Sequence, residues 1–200
     1  MLDFLDPATI IKTLGLLGVF AIVFAESGLF FGFFFPGDSL LFTAGLLASQ
    51  GYFSIVWLSI GCFICAVAGD SVGYAFGKKV GPKIFTREDS LFFHKKHVAR
   101  AEQFYTTYGT KAIILARFVP IVRTFVPIVA GVGSMDYKKF ITSNIVGGAL
   151  WAVTLPLLGF WLGTSIPSAD QFLWPIIATV IVLSFLPIVW EYLKAKTTDN

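Results

Sequence analysis

The chain has 200 residues, of which 56% are apolar and 14% are charged, and its formal net charge is +3 at pH 7. A typical soluble domain carries about a quarter charged residues. The apolar residues cluster in long runs, several of which approach the ~20 residues that a membrane-spanning helix needs. This composition excludes a separate soluble domain and predicts a helical protein that crosses the bilayer several times.

The first predicted elements are a span at 10–25 and an apolar stretch at 26–49, which Pro36 and Gly37 interrupt. The second arm of this stretch, 40–49, has ten residues. At ~1.5 Å per residue it reaches about 15 Å, half of the ~30 Å hydrocarbon core. Because this arm is too short to cross, we predict that 26–49 forms a re-entrant hairpin.

The second predicted span, 53–76, is followed by a long polar stretch at 78–110. Apolar residues recur there at helical spacing, with basic residues opposite them. This pattern predicts an amphipathic helix on the cytoplasmic surface, held by aromatic residues and anionic lipid. His94 and His97 lie in this stretch. They lack the further ligands that a metal site requires, so we predict no bound metal.

A second interrupted apolar stretch covers 112–133, where Pro120 and Pro127 each remove a helix hydrogen-bond donor. Non-helical backbone at membrane depth survives where protein or a water-filled cavity covers it. We therefore predict a second re-entrant hairpin, with a break at each proline. The last two predicted spans are 138–162 and 172–191.

The two halves of the chain contain the same kinds of element. Residues 10–77 hold the first hairpin, 111–192 hold the second, and 78–110 lie between them. A pair of interrupted segments, one in each half, is typical of inverted-repeat transporters, in which the site lies where the broken segments meet. The expected fold is one all-α membrane domain over 1–200, with about four full spans, two re-entrant hairpins and an amphipathic helix.

The distribution of basic residues predicts the orientation. With the hairpins re-entrant, thirteen of the fifteen lysine and arginine residues lie on the side of the two termini. The opposite loops, 49–52 and 164–170, contain none of them. Because cytoplasmic loops carry the excess of basic residues, we expect a multi-pass protein with both termini in the cytoplasm.

Four ionisable residues, Glu26, Asp38, Arg117 and Arg123, lie at the predicted membrane depth, and Asp70 lies nearer the cytoplasmic end of its span. A charge at the bilayer centre costs at least ~2.5 to 3.5 kcal/mol. The first hairpin supplies two acids and the second two bases, so packing the hairpins together would pair opposite charges. The alternative is that these residues form an ion-pair cluster that only fixes the hairpins.

The chemistry of these residues points to an anion and protons. Arg117 and Arg123 flank a proline turn and offer fork-shaped donors that suit a phosphate. A helix beginning after Pro36 would add backbone donors. Glu26 and Asp38 could exchange protons as an anion binds or leaves. The histidines lie outside this set and no nucleophile is paired with a base, so we expect a carrier and not an enzyme.

Small residues form ridges on two of the predicted spans. Gly69, Gly73, Gly77 and Gly81 are spaced four residues apart in the second span and just after it, and Gly159 and Gly163 repeat the spacing near the end of the third. Such ridges allow close helix packing, either within the chain or in a homodimer. No strand precedes them, so they are not a nucleotide-binding motif.

Short motifs are distributed along nearly the whole chain. They include Glu26, Pro36-Gly37-Asp38, Gly69-Asp70 with Gly73, Arg117 and Pro120 with Arg123, Gly131, and Asn144 with Gly147 and Trp151. This set resembles the DedA family, also called the SNARE-associated or VTT-domain membrane proteins. The resemblance includes every acidic and basic position that the family's function is thought to need, which here are Glu26, Asp38, Arg117 and Arg123.

The resemblance implies a lipid carrier of the bacterial inner membrane. Bacterial members look like transporters that return undecaprenyl phosphate to the cytoplasmic leaflet, and the family is associated with dependence on the proton gradient. The leading hypothesis is a proton-linked flippase in which Arg117 and Arg123 bind the headgroup while Glu26, Asp38 and Asp70 handle protons. The expected partners are the lipid phosphate, protons and membrane lipids, without a cofactor or nucleic acid.

Other functions remain open at this point. Some relatives appear to move other phospholipids, and eukaryotic relatives are similar to lipid scramblases. A proton-coupled carrier of a small ion or solute would suit the same charges. A lipid phosphatase and a purely structural role are further alternatives.

Overall fold

The computed structural model describes residues 7–29, 37–85, 109–111, 113–118 and 120–165. Every regular element in these residues is a helix, which confirms the all-α prediction. Residues 109–111 and 113–116 are helical in addition to five longer helices. These are α1 (Pro7–Gly28), α2 (Gly37–Ser49), α3 (Ile55–Phe85), α4 (Pro120–Val132) and α5 (Tyr137–Ser165).

Two helices in the described residues are long and apolar enough to cross a membrane. They are Ile55–Val80, which is most of α3, and Tyr137–Ser165, which is α5. They correspond to the predicted spans 53–76 and 138–162. Helix α1 contains the predicted span 10–25, but Gly15 has a positive φ of 62° that kinks it. The predicted span 172–191 lies outside the described residues.

Helix α3 is longer than predicted. It continues to Phe85, so the start of the polar stretch 78–110 extends this helix and does not begin a separate one. Exposed lysines at 78 and 79 do not end a helix, because lysine is a good helix former. The remainder of the predicted amphipathic helix, with His94 and His97, lies outside the described residues.

The structure shows where the second helical arm of each interrupted stretch begins. Helix α2 starts at Gly37, with Asp38 in its first turn, and Pro36 lies outside the described residues. In the second stretch the chain turns at 117–118, and Pro120 is the first residue of α4. Proline is well tolerated at this first position, where the missing N–H has no partner within the helix.

The predicted break at Pro127 is wrong. Pro127 lies inside α4, which continues unbroken to Val132. A proline inside a helix removes one hydrogen bond, and in membrane helices packing against neighbours offsets that loss. Pro127 is buried, and its Cβ lies close enough to Gly73 to contact a side chain built there. The re-entrant course of the hairpins, their inverted repeat and the number of full spans remain predictions.

The chain divides into two compact units. The first unit contains the start of α1 up to Val19, helix α2, the start of α3 up to Leu58, and α5 from Leu155. The second unit contains the end of α1 from Phe20, α3 from Ser59, helix α4, and α5 up to Thr154.

In the first unit, α2 packs directly against the second half of α5. A Cβ at Gly45 would overlap the backbone of Pro156, and one at Gly159 would overlap the carbonyl oxygen of Phe42. At Gly163 it would overlap the hydroxyl of Ser49. These glycines therefore serve contacts between helices of the same chain, and helix α2 is buried along most of its length.

In the second unit, glycines bring α3 against both α1 and α4. Gly28 and Gly69 meet so closely that a Cβ at Gly28 would lie 2.9 Å from the Gly69 carbonyl oxygen. A Cβ at Gly77 would overlap the carbonyl oxygen of Ile128, and one at Gly131 would overlap that of Tyr74. The predicted glycine ridge is thus used for packing within the chain.

Candidate functional site

Arg117 occupies the turn that precedes α4 and is held by two buried side chains. Its Nη1 donates hydrogen bonds to Oδ2 of Asp70, with which it forms an ion pair, and to Oδ1 of Asn144, at 2.5 Å. The side chains of Arg117 and Asp70 are 6% and 7% exposed. Both side chains of the pair are therefore shielded from water.

Asn144 holds its amide in one orientation. Its Nδ2 donates to the backbone carbonyl of Val67 at 3.2 Å, which leaves Oδ1 directed at the guanidinium of Arg117. One turn further along α5, Gly147 and Gly148 make room for the arginine. A Cβ at Gly147 would lie 3.4 Å from Cδ of Arg117, and one at Gly148 would lie 3.6 Å from its Cζ.

Arg123 forms the second buried ion pair. It lies in α4, and its Nη2 donates to Oε1 of Glu26 near the end of α1. The side chains of Arg123 and Glu26 are 9% and 3% exposed. This pair links the two interrupted stretches in the way that their opposite charges led us to expect.

Both guanidinium groups lie over one aromatic ring. The Cζ of Arg123 is 4.8 Å from the centre of the Trp151 ring, and the Cζ of Arg117 is 5.9 Å from it. Trp151 is buried. Arginine over a tryptophan face is a favourable cation–π arrangement, and it is stronger when water is excluded. Trp151 therefore joins the two ion pairs into one site.

We call this group the arginine–tryptophan site, and all of its members belong to the second unit. It contains two cations and two anions, so its formal charge is zero when all four ionisable groups are charged. A guanidinium has more N–H donors than a single carboxylate has acceptor sites. Its members are Glu26, Asp70, Arg117, Arg123, Asn144 and Trp151.

The predicted pairing was partly wrong. We expected both arginines to pair with acids of the first hairpin, yet the partner of Arg117 is Asp70 of α3. Asp38 is half-buried in the first turn of α2, in the first unit. The sequence placed Asp70 nearer the interface because Lys78 is only two turns away, but distance along a helix does not show which side of the helix is covered.

Sequence reasoning noted Asn144, Gly147 and Trp151 without assigning them a contact with the arginines. The spacing of these residues could have indicated such a contact. Positions 144, 147, 148 and 151 lie on one face of a helix, and in an apolar span a polar, a small and an aromatic side chain on the same face indicate a partner there. The signal does not reveal that the partner is a pair of arginines.

The described residues contain no group of three His, Cys, Asp or Glu side chains that could hold a metal ion. Cys62 and Cys65, which have C-x-x-C spacing, are free thiols on α3, and Cys62 is buried. The guanidinium groups of the arginine–tryptophan site are hydrogen-bond donors of the kind that bind anions, and its carboxylates are groups of the kind that exchange protons.

Comparison with known proteins identifies the family. Residues 35–161 match the VTT domain. Protein DedA of Escherichia coli strain K12 is 42% identical over 180 residues, which cover 89% of this chain and 82% of that protein. The chain belongs to the DedA family of VTT-domain membrane proteins.

Two further relatives are mycobacterial membrane proteins. An uncharacterized membrane protein of Mycobacterium tuberculosis strain H37Rv is 42% identical over 195 residues, covering 94% of this chain and 85% of its own. One from Mycobacterium bovis is 31% identical over 186 residues, covering 90% and 84%. No solved structure matches the chain. Together with the two long apolar helices, these relatives identify this DedA-family chain as a membrane protein.

Proposed function

We propose that this DedA-family protein is a proton-linked flippase for a lipid phosphate, and that undecaprenyl phosphate is its substrate. The observation that carries the proposal is the pair of buried arginines over one tryptophan ring, each ion-paired with a carboxylate. The proposed location is the bacterial cytoplasmic membrane, with both termini in the cytoplasm, as the distribution of basic residues favours.

A phosphate group is the guest that this site suits best. Arg117 and Arg123 present planar forks of donors, which match phosphate oxygens better than a lysine would. Two arginines can balance the charge of a phosphate monoester when their carboxylate partners are neutral. The lipid tail can stay in the bilayer while the headgroup crosses, so the site needs no large cavity.

Protons enter the mechanism through competition for the arginines. In the structure, the carboxylates of Glu26 and Asp70 accept hydrogen bonds from guanidinium N–H groups that a phosphate would also use. Protonating either carboxylate removes its charge and weakens its hold on the guanidinium. Proton binding and phosphate binding therefore favour each other, which is the requirement for coupled transport. We assign proton handling to Asp38 as well, because it is a third carboxylate at the start of a mostly buried helix.

The test is leaflet-resolved transfer of undecaprenyl phosphate in liposomes that contain the purified protein. Transfer is measured with and without a pH gradient. We expect gradient-dependent transfer for the natural protein and none for Arg117→Ala/Arg123→Ala. The control variant is Lys138→Gln/Lys139→Gln, which removes two positive charges from the exposed start of α5 and should leave transfer unchanged.

Each other outcome points to a different function. An active Arg117→Ala/Arg123→Ala variant would contradict headgroup binding by these arginines. Equal transfer with and without the gradient would indicate passive scrambling. Absence of transfer for this lipid but transfer of another phospholipid would change the substrate, and uptake of a small ion into lipid-matched vesicles would indicate a solute carrier. Phosphate release from labelled lipid would indicate an enzyme.

A further inference from the structure

A second polar feature lies where the end of α3 meets the start of α5. It is an open groove of about 590 Å³ within the second unit. It shares no residue with the arginine–tryptophan site, and the proposed function makes no use of it. The groove is lined by Ser71, Tyr74, Ala75, Lys78, Lys79 and Tyr137.

The aromatic wall of the groove is fixed by packing. Tyr74 is buried, and its hydroxyl donates to the backbone carbonyl of Met135. Its ring stacks on Phe140 with the ring centres 4.6 Å apart, and Tyr137 lies 5.3 Å away. Because Phe140 is itself fully buried, this wall is present before any ligand binds.

The polar side of the groove attracts anions. Lys78 and Lys79 are both exposed, and both line the groove. The lining residues include no acid. Two acids are adjacent along the chain to lining residues. Asp70, beside Ser71, is ion-paired with Arg117. Asp136, beside Tyr137, is exposed, and its Oδ1 accepts a hydrogen bond from the backbone N–H of Lys139.

The surroundings of the lysines favour a lipid over a small anion. Lys78 and Lys79 lie near the end of the apolar helix Ile55–Val80. Lysines at the end of a spanning helix generally lie at the level of the lipid headgroups. Phe76 and Val72, 53% and 46% exposed, lie one and two turns before Lys79 on the same helix face. An acyl chain could lie along this stripe while its phosphate contacts the lysines. Tyrosine and lysine together are typical anchors at this depth.

We propose that this groove is a binding site for one anionic glycerophospholipid. The phosphate lies between Lys78 and Lys79 beside Tyr137, and one acyl chain follows Phe76 and Val72 into the bilayer. The site is distinct from the one that carries the transported headgroup. The Asp70→Val/Arg117→Met variant, which removes one ion pair as a whole, should therefore still bind lipid here even though it does not transport.

The test is native mass spectrometry of the full-length protein in detergent, titrated with phosphatidylglycerol. We expect one saturable lipid per chain, bound more tightly than phosphatidylcholine. Lys78→Gln/Lys79→Gln should weaken binding by about tenfold or more, since each lysine near an anionic headgroup contributes about fivefold. Ala75→Trp should weaken it similarly by filling the groove without changing the charge. Lys78→Arg/Lys79→Arg should retain binding.

The matched control is Lys138→Gln/Lys139→Gln, which removes the same charge from neighbouring exposed positions outside the groove lining. It should change the affinity by less than about twofold, because Lys138 and Lys139 do not line the groove and so are not expected to contact the bound headgroup. An equal loss in both glutamine pairs would overturn the proposal in favour of diffuse surface attraction. Inorganic phosphate that binds as tightly as the lipid, or Ala75→Trp that binds normally, would also overturn it.

Discussion

Replacing Asp70 by asparagine would leave the guanidinium of Arg117 buried beside a neutral amide. Removing one partner of a buried ion pair typically costs about 3–5 kcal/mol, because the remaining charge is uncompensated. Asn144 would still accept its hydrogen bond from Arg117, which places the expected loss near the lower end of this range. We therefore predict that Asp70→Asn lowers the free energy of unfolding by about 3 kcal/mol.

Replacing both partners gives a different expectation. Asp70→Val with Arg117→Met removes the pair while keeping roughly the same side-chain volume. Exchanging a buried pair for apolar residues is often neutral or stabilising by about 1–4 kcal/mol. Against this, Oδ1 of Asn144 loses its donor, at a cost of about 1–3 kcal/mol. The double variant should thus be more stable than Asp70→Asn, yet inactive in transport.

Both variants can be measured from the same preparations. Denaturant unfolding in mixed micelles gives the relative stability, and transfer of undecaprenyl phosphate in liposomes gives the activity. A folded double variant that transfers lipid at the natural rate would refute the headgroup role of Arg117, since the charges would then only hold the fold. An Asp70→Asn variant as stable as the natural protein would refute the reasoning about the buried pair.

Three further predictions concern residues around the two sites. Trp151→Leu removes a cation–π contact from both arginines, so the half-saturating concentration of lipid in the transfer assay should rise about fivefold or more. Gly77→Ala forces a Cβ into a backbone carbonyl of α4 and should lower the free energy of unfolding by about 1–3 kcal/mol. A Cβ at Gly73 would lie 3.4 Å from its nearest atom, so Gly73→Ala should change that free energy by no more than about 0.5 kcal/mol. Tyr74→Phe removes a hydrogen bond to a backbone carbonyl and should cost about 0.5–1.5 kcal/mol in the same assay. Normal stability of Gly77→Ala, or a marked loss of stability in Gly73→Ala, would contradict the packing described at these glycines. An unchanged half-saturating lipid concentration for Trp151→Leu, or an unchanged free energy of unfolding for Tyr74→Phe, would contradict the role given to that side chain.

The long apolar helices could be predicted from the sequence because burial in lipid demands an apolar run of a definite length. The predicted spans 53–76 and 138–162 fall within or close to α3 and α5. The ends of these helices were less predictable. Helix α3 continues past Lys78 to Phe85, since a polar residue ends an apolar run without ending a helix.

Local backbone signals were informative only where tertiary packing agreed with them. Pro120 begins α4, in agreement with the predicted break there, but Pro127, for which the same break was predicted, lies within the helix. The kink at Gly15 was not predicted, because one glycine among apolar residues gives no indication that it will take a positive φ. At Pro127 the outcome depends on packing against Gly73 of α3.

The charged members of the site were predictable because any charge at membrane depth requires a compensating partner. Their pairing was not. Opposite charge on the two hairpins predicted that acids of the first would pair with bases of the second, as Glu26 and Arg123 do. It did not show which acid meets which base, that Asp70 faces Arg117, or that Asn144 fixes the same guanidinium. Trp151 was still harder to predict, since an apolar helix offers many aromatic residues and only the fold shows which one lies under the arginines.

The packing of the second unit argues that its buried charges serve more than stability. Helix α4 is already held against α3 by close contacts at Gly77 and Gly131, where no side chain intervenes. Apolar residues in place of the ion pairs would hold these helices about as well. The pairs therefore add little that the fold needs, but they hold two guanidinium groups in fixed orientations in a buried site. A carrier of a charged headgroup needs such a site, because an unpartnered arginine in the same position would be too costly to bury and an apolar pair could not bind the phosphate.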